Sequence, residues 1–410
     1  MTKSFRNSDP LPPIMQGSPV PPEWQIPPHD WDAPPWNRWA FQHMREVVTT
    51  VDVPRGDTVW DLPGTPGDAD AVPFDLPDGT PTTWGAMLND TYTDATLIWL
   101  DGQVIVESYF NAMSPRTPHI AFSVSKSITS AVTGCLISQG LLDPSQPVTE
   151  IIPDLAQTAW KGANLRHVLD MTSGVTFDEE YGDPDAHVFL LDVAANLKPV
   201  YPFMDPETVP RTTWELILSL TDKNAEHGER FEYRSIETDL LGHLMERVTS
   251  ERLSDLISKH LWSPMGAEHD GFFTVDRGGF PLADGGFNAC LRDFARFGRL
   301  MLEDGQRDGR QIIPKAWLDD IRGGNHGLFN DYGRAYFPNG RYRNQFWMPD
   351  ADKPAHLSLG IFGQHIYVDP DCGLVAVKLS SWPNFLSEEG YMQHWLSGVK
   401  AVARDYGAKT

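Results

Sequence analysis

Cysteine is scarce in this chain: three stand among 410 residues, at positions 135, 290 and 372. An odd number at such wide spacing excludes a disulfide framework and the close-set cysteine ligands of zinc sites, so all three read as reduced core residues. Positive charge is also in deficit, with 33 basic against 56 acidic side chains and a formal net charge of −23. Such a chain repels phosphate backbones and anionic lipid heads, which argues against nucleic acid and membrane partners. No apolar run approaches the length of a membrane-spanning helix. The opening MTKSFRNSDPLPPI lacks the apolar core of a signal peptide, so a cytoplasmic location is expected. Missing too are a G-x-S-x-G elbow, a P-loop, a G-x-G-x-x-G in a strand–helix setting and an H-E-x-x-H pair among the 13 histidines. Neither a metal nor an organic cofactor is expected.

What is present is core material: 40% hydrophobic residues, with 14 Trp, 20 Phe and 11 Tyr, in a globular chain long enough for two or three domains or for one large core with a second lobe inserted. From Pro10 to Pro35 prolines recur every few residues among Trp24, Trp31 and Trp36. Proline fixes φ and removes a donor, so residues 1–36 form an arm without regular structure; its indoles imply that it lies against the body or a neighbouring subunit.

Ala95 to Leu100, then Asp101-Gly102, then Gln103 to Phe110 read as two strands joined by a two-residue hairpin turn. After Ser123 the period changes: Ile128, Ala131, Val132, Cys135 and Leu136 share a helical face, with Gly140 at the stop. Helical stripes recur at Leu240, Leu244 and Val248, and at Leu291, Phe294, Ala295 and Gly298. HIYVDP and LVAVKLSSW then flank Asp371 to Gly373 as a second hairpin, before a last helix with Trp395 and Val399. The order sheet, helices, sheet predicts an α+β fold, an antiparallel sheet flanked by helices with an all-helical lobe inserted. Residues 37–118 and 265–410 supply the α/β lobe and 119–264 the helical lobe.

Ser123-Val124-Ser125-Lys126 has the S-x-x-K form. At a helix start it sets serine and lysine one turn apart on one face, where the amine can handle the hydroxyl proton and the helix N-terminus offers N–H groups to an oxyanion. The four letters alone better describe a helix-capping serine, and Ser397 to Lys400 repeats them in an ordinary amphipathic helix. Tyr233-Arg234-Ser235 has the Y-x-[NS] form, as do Tyr109 to Asn111 and Tyr342 to Asn344.

Context separates these matches. AFSVSKSITSAVTGCLISQGLLDPSQPVTEIIPDL, LRHVLDMTSGV, FEYRSIETDLLGHLMERVT and GGFNACLRDFARFGRLMLEDGQRDGRQIIP resemble, in order, successive blocks of the serine β-lactamase and penicillin-binding-protein superfamily. Together they cover the chain from about residue 95 onward. PPWNRWAF, PVTEIIPDLA, GIFGQHIYVDP and VKLSSWP are similar to segments of its 6-aminohexanoate-dimer hydrolases and the related family VIII type esterases. The resemblance implies a β-lactamase/transpeptidase-like fold. It implies Ser123 as acylated nucleophile, Lys126 and Tyr233 as proton-handling partners, and the N–H groups of Ser123 and Ile361 as oxyanion hole. It places Tyr181, Trp347 and Asp192 at substrate positions.

The implied activity is a serine hydrolase acting on a small ester or amide through an acyl-serine, with water as second reactant. Short-chain esters lead. Linear 6-aminohexanoate oligomers or D-amino-acid peptides are the amide alternative, and a β-lactamase or a silent acyl-binding module the weaker ones. Homodimerisation rests on the resemblance alone. Two departures bear on specificity: AHLSLGIFGQ has no lysine where a β-lactamase carries a Lys-Thr-Gly-like strand, leaving His356 and Ser358 as polar candidates, and Leu386 stands where the nylon-oligomer enzymes carry an acid. Next to a charged lysine, Tyr233 is expected to have a lowered pKa.

Overall fold

The computed structural model describes residues 5–387 and 389–408. Its centre is a seven-stranded antiparallel sheet: β1 (Thr93–Leu100), β2 (Gln103–Tyr109), β3 (Arg341–Arg343), β4 (Phe346–Met348), β5 (His356–Gly360), β6 (Gln364–Asp369) and β7 (Leu374–Ser380), in the order β3-β4-β5-β6-β7-β1-β2. The early hairpin thus pairs directly with the last strand, Leu100 opposite Leu374 and Thr96 opposite Lys378. The turn at Asp101-Gly102 has positive φ at both residues, as a tight hairpin requires. Alternation along the strands sorts the core into two layers. Leu97, Trp99, Ile366, Val368, Val375 and Val377 belong to one cluster, and Ile98, Leu100, Tyr367, Leu374 and Ala376 to the other.

Of the helices, α1 (Val124–Ser138) and α2 (Ser235–Thr249) pack together in the helical part of the chain, while α3 (Leu291–Leu302) lies on one face of the sheet and α4 (Tyr391–Gly407) belongs to the opposite layer. Gly298 lets α3 approach closely: a Cβ there would collide with Val375 and crowd Ile366. Helix α1 is buried along most of its length, which explains its apolar and small residues on every side. A second, four-stranded sheet (Thr50–Val53, Gly271–Thr274, Phe287–Cys290, Pro118–Ile120) leads into the turn before Ser123.

The proline-rich arm lies on the body, as its tryptophans predict. Trp31 is buried and its indole N–H donates to the Leu197 carbonyl at 3.0 Å; Lys198 pairs with Asp32 at 2.8 Å. Just beyond the arm, Arg38 and Asp94 form a buried ion pair at 2.9 Å, with His119 also on that carboxylate. The cysteines are free; Cys135 and Cys290 are buried, whereas Cys372 is exposed. The expectation of a core thiol fails at Cys372 because it sits in the turn between β6 and β7.

Candidate active site

Ser123 ends the turn that opens α1. Its side chain makes no capping hydrogen bond, so the capping alternative drops out. Lys126, one turn on, is 1% exposed and spends its three donors on Ser123 Oγ (2.7 Å), the Asp284 carbonyl (3.0 Å) and Asp284 Oδ2 (3.3 Å). Its ammonium lies 5.2 Å from the ring centroid of Tyr233, which is delivered by the segment entering α2. The residue before the nucleophile, Phe122, has φ +45°, and Ser125 Oγ–H ties down its carbonyl at 2.6 Å while accepting the Phe287 N–H at 3.0 Å. Left-handed backbone at a phenylalanine is strained and persists only where neighbours over-determine it.

From the sheet side comes Ile361, directly after β5. Gly360 lets that strand end press on the turn, since a Cβ there would strike the Ala121 carbonyl. The next residue, Phe362, is again left-handed at φ +58°. Among the described residues neither the Ser123 nor the Ile361 amide is committed to a backbone acceptor.

Burial would by itself favour a neutral Lys126 amine, but Tyr233, Asp284, Glu179 and Asp239 outweigh it and hold the group above the usual lysine range. Tyr233 also shifts upward, chiefly through burial and against the pull of Lys126, with Glu179 adding to the rise. The lowering expected from the lysine alone is therefore reversed, because removing the phenolate from water costs more than the nearby cation returns. Glu179 is raised by burial, and its carboxylate accepts from the Ser235 N–H (2.6 Å), Ser235 Oγ (2.7 Å) and Tyr181 OH (3.1 Å). Asp239 accepts the amides of Ala283 (3.0 Å) and Asp284 (3.2 Å), fixing the loop that anchors Lys126.

Ser123, Tyr233 and Glu179 open onto one cavity of about 410 Å³, lined also by Tyr181, Trp347, Ile361 and Leu386. The Beta-lactamase family model matches residues 88–395, most of the chain. The chain belongs to the β-lactamase family. A 6-aminohexanoate-dimer hydrolase of Paenarthrobacter ureafaciens is 36% identical over 360 residues, covering 86% of this chain and 88% of that protein. A solved structure from Bacillus anthracis, provisionally named a 6-aminohexanoate-dimer hydrolase, superposes with a TM-score of 0.85 at 27% identity, covering 95% of this chain and 99% of its own. A family VIII carboxylesterase shares the fold at a TM-score of 0.55 and 14% identity, over 76% of this chain and 91% of that one. The protein is thus a hydrolase of the β-lactamase superfamily with its antiparallel-sheet and helix fold. No helix among the described residues is long and apolar enough to cross a membrane.

Within this β-lactamase-family fold the structure brings Ser123, Tyr233, Tyr181, Trp347 and Ile361 to one cavity, with Lys126 buried against Ser123 beneath its wall. Tyr181 stacks on Phe385 at 4.9 Å and Trp347 leans on Tyr233 at 5.5 Å. Asp192 does not line that cavity. It accepts from Tyr201 OH at 2.8 Å beside Lys198 and Asp32, and burial raises its pKa to about 6. His356 and Ser358 are buried and likewise absent from the lining. A His269, Cys290 and Asp293 grouping stands outside the cavity, with the Asp293 carboxylate already accepting from two amides and Arg296.

Glu179, Asp284 and Asp239, the carboxylates that set the charge around Lys126, carry no motif signal in the sequence. Glu179 sits two residues before Tyr181, and Asp284 belongs to an Ala-Asp-Gly-Gly loop with no motif spacing. Their importance arises only when α1 and α2 pack together.

Proposed function

We propose that the protein hydrolyses short-chain carboxylic esters through an acyl-serine intermediate at Ser123. The observation that carries this reading is Lys126 Nζ at 2.7 Å from Ser123 Oγ, with the Tyr233 ring over the same ammonium. In the proposed cycle the Lys126–Tyr233 pair, having lost one proton, takes the Ser123 hydroxyl proton as Oγ bonds to the carbonyl carbon. The negative oxygen is held by the Ser123 and Ile361 N–H groups. Tyr233 returns the proton to the departing alkoxide as the C–O bond breaks, and water then releases the acid by the same route in reverse.

The cavity wall adds Asp178, Glu179, Glu180 and Glu232 against Arg230. That acid excess favours neutral or amine-bearing substrates over anionic ones, and with no lysine on β5 it argues against efficient hydrolysis of a β-lactam carboxylate. A second reading, cleavage of linear amides, is supported by the Tyr181 phenol at the cavity and by the 36% identity to a protein named 6-aminohexanoate-dimer hydrolase. An amide needs its leaving nitrogen protonated, and a second phenol would assist. Leu386 lines the cavity with an apolar side chain where the resemblance puts an acid, which weighs against a specialisation for nylon oligomers.

The test is turnover of p-nitrophenyl acetate and butyrate, nitrocefin and the linear 6-aminohexanoate dimer, each with native enzyme and Ser123→Ala. Ester hydrolysis abolished in the variant, with little nitrocefin cleavage, is the expected outcome; dimer cleavage exceeding ester cleavage selects the amide reading. Turnover that survives in folded Ser123→Ala refutes the assignment of the nucleophile.

A further inference from the structure

Seven aromatic contacts run unbroken from the N-terminal segment to the back of the site. Trp31 stacks on Phe122, ring centroids 6.4 Å apart and planes 5° apart, and meets Phe41 edge-on at 6.0 Å. Phe41, fully buried, touches both Phe122 and Phe362 edge-on at 5.0 Å. Phe122 and Phe362 meet at 5.3 Å, Phe362 meets Phe385 at 5.0 Å, and Phe385 carries Tyr181.

Two members of this chain are not ordinary core residues. Phe122 immediately precedes Ser123 and Phe362 immediately follows Ile361, so each shares a peptide unit with, or directly adjoins, a residue whose amide faces the proposed oxyanion. Both are in the left-handed backbone region. A phenylalanine relaxes from that region by rotating φ and ψ; at Phe122 this turns the Phe122–Ser123 peptide and re-aims the Ser123 N–H directly, and at Phe362 it moves the Ile361–Phe362 peptide and with it the position of Ile361. What opposes relaxation is packing of the rings. Neither Phe122 nor Phe362 lines the cavity, and neither do Phe41 and Trp31, so none of the four is placed to touch substrate.

We infer that Phe41, seconded by Trp31, is a positioning residue for catalysis: the N-terminal segment wedges the Phe122 and Phe362 rings and thereby holds the Ser123 and Ile361 amides in register for the oxyanion. The inference rests on the Ser123 reading above. Its content is that Phe41 and Trp31, remote from the nucleophile in sequence, set the rate of acyl transfer, in acylation and deacylation alike, and not the affinity for substrate. An oxyanion donor works only at hydrogen-bond distance from where the charge develops, so displacement of a few tenths of an ångström acts on the transition state.

The experiment compares kcat, KM and Tm for p-nitrophenyl butyrate in the full-length protein and in Phe41→Leu, Trp31→Leu and Trp39→Ala, assayed well below the lowest Tm. Trp39 serves as the control: it belongs to the same segment, stacks on His43 at 3.9 Å and makes no ring contact with Phe122 or Phe362 among the described residues. Phe41→Leu and Trp31→Leu are expected to lower kcat by about tenfold to a hundredfold, with KM held within about twofold, while Trp39→Ala keeps native kcat whatever its Tm. The inference is overturned by native kcat in folded Phe41→Leu, by a rise in KM with kcat unchanged, or by kcat losses that follow Tm across all three variants. Ser123→Ala run alongside separates the two levels. Turnover persisting there removes the nucleophile reading and this inference with it, whereas its loss beside native Phe41→Leu kinetics removes this inference alone.

Discussion

His365, one of the residues lining the cavity, offers a direct measurement of how little water reaches the sheet at that wall. It lies on β6 opposite Lys378, 3% exposed, between Trp382 and Trp395 with both ring centroids 5.5 Å away. Among the described residues neither ring nitrogen has a partner at hydrogen-bond geometry. Burial, assisted by Lys378, lowers its pKa to about 3. A base whose pKa falls on folding stays neutral in the native state while the unfolded chain takes up a proton below about 6.5, so stability drops as pH falls through that value and continues to drop toward pH 3. Between pH 7.5 and pH 4.5 the loss from this one ring is about 2.7 kcal/mol, roughly 1.4 kcal/mol for each pH unit below 6.5. His365→Phe removes the titration, sacrifices no hydrogen bond and keeps an aromatic ring between the two indoles. Urea unfolding followed by tryptophan fluorescence should therefore give the variant a stability within about 1.5 kcal/mol of the native protein at pH 7.5. Its fall on acidification should be shallower by about 2.7 kcal/mol. Native and variant curves that run parallel from pH 7.5 to 4.5 would show that the ring is solvated or protonated in the fold, and the packing argument would fail.

Two other perturbations test the site and its support. Lys126 and Tyr233 both hold their protons more tightly than usual, and Glu179 contributes to both shifts, so the pH–rate profile of the proposed ester hydrolysis should climb through the alkaline range. Glu179→Gln should move that climb to lower pH, and a profile unmoved by the substitution would disconnect Glu179 from the pair. Gly298→Ala forces a methyl into Val375 where α3 meets the sheet and should cost about 1–3 kcal/mol by denaturant titration; a neutral result would mean that the helix can lift without penalty.

Much of this arrangement is legible before folding is considered. The Asp101-Gly102 hairpin, the α1 stripe and the Asp371 to Gly373 hairpin follow from period and turn chemistry, because each is a local property of the chain. Ser123, Lys126 and Tyr233 stand out only through their neighbouring blocks, since each short motif recurs elsewhere; Tyr342, a decoy by pattern, ends up 6.2 Å from the Tyr233 ring as packing. What resists reading is the set of long-range electrostatic partners. The sequence shows a lysine near a tyrosine and suggests a lowered phenol, but burial depth decides the sign, and burial is made by helices that meet across a hundred residues. Asp192 illustrates the same limit: its environment is written by Asp32, Lys198 and Tyr201, of which Asp32 comes from the arm.

The pairing of β1 with β7 orders events on the ribosome. Leu100 waits for Leu374, so the nascent hairpin emerges with one hydrogen-bonding edge unfilled and keeps it open through most of translation. During that interval Ser123, Lys126 and Tyr233 have already been made, but the strand ending at Gly360 that presents Ile361 has not. With Ser123 as the proposed nucleophile, hydrolysis can begin only on a nearly finished polypeptide, and a ribosome-stalled chain ending before Gly360 should stay unlabelled by a fluorophosphonate.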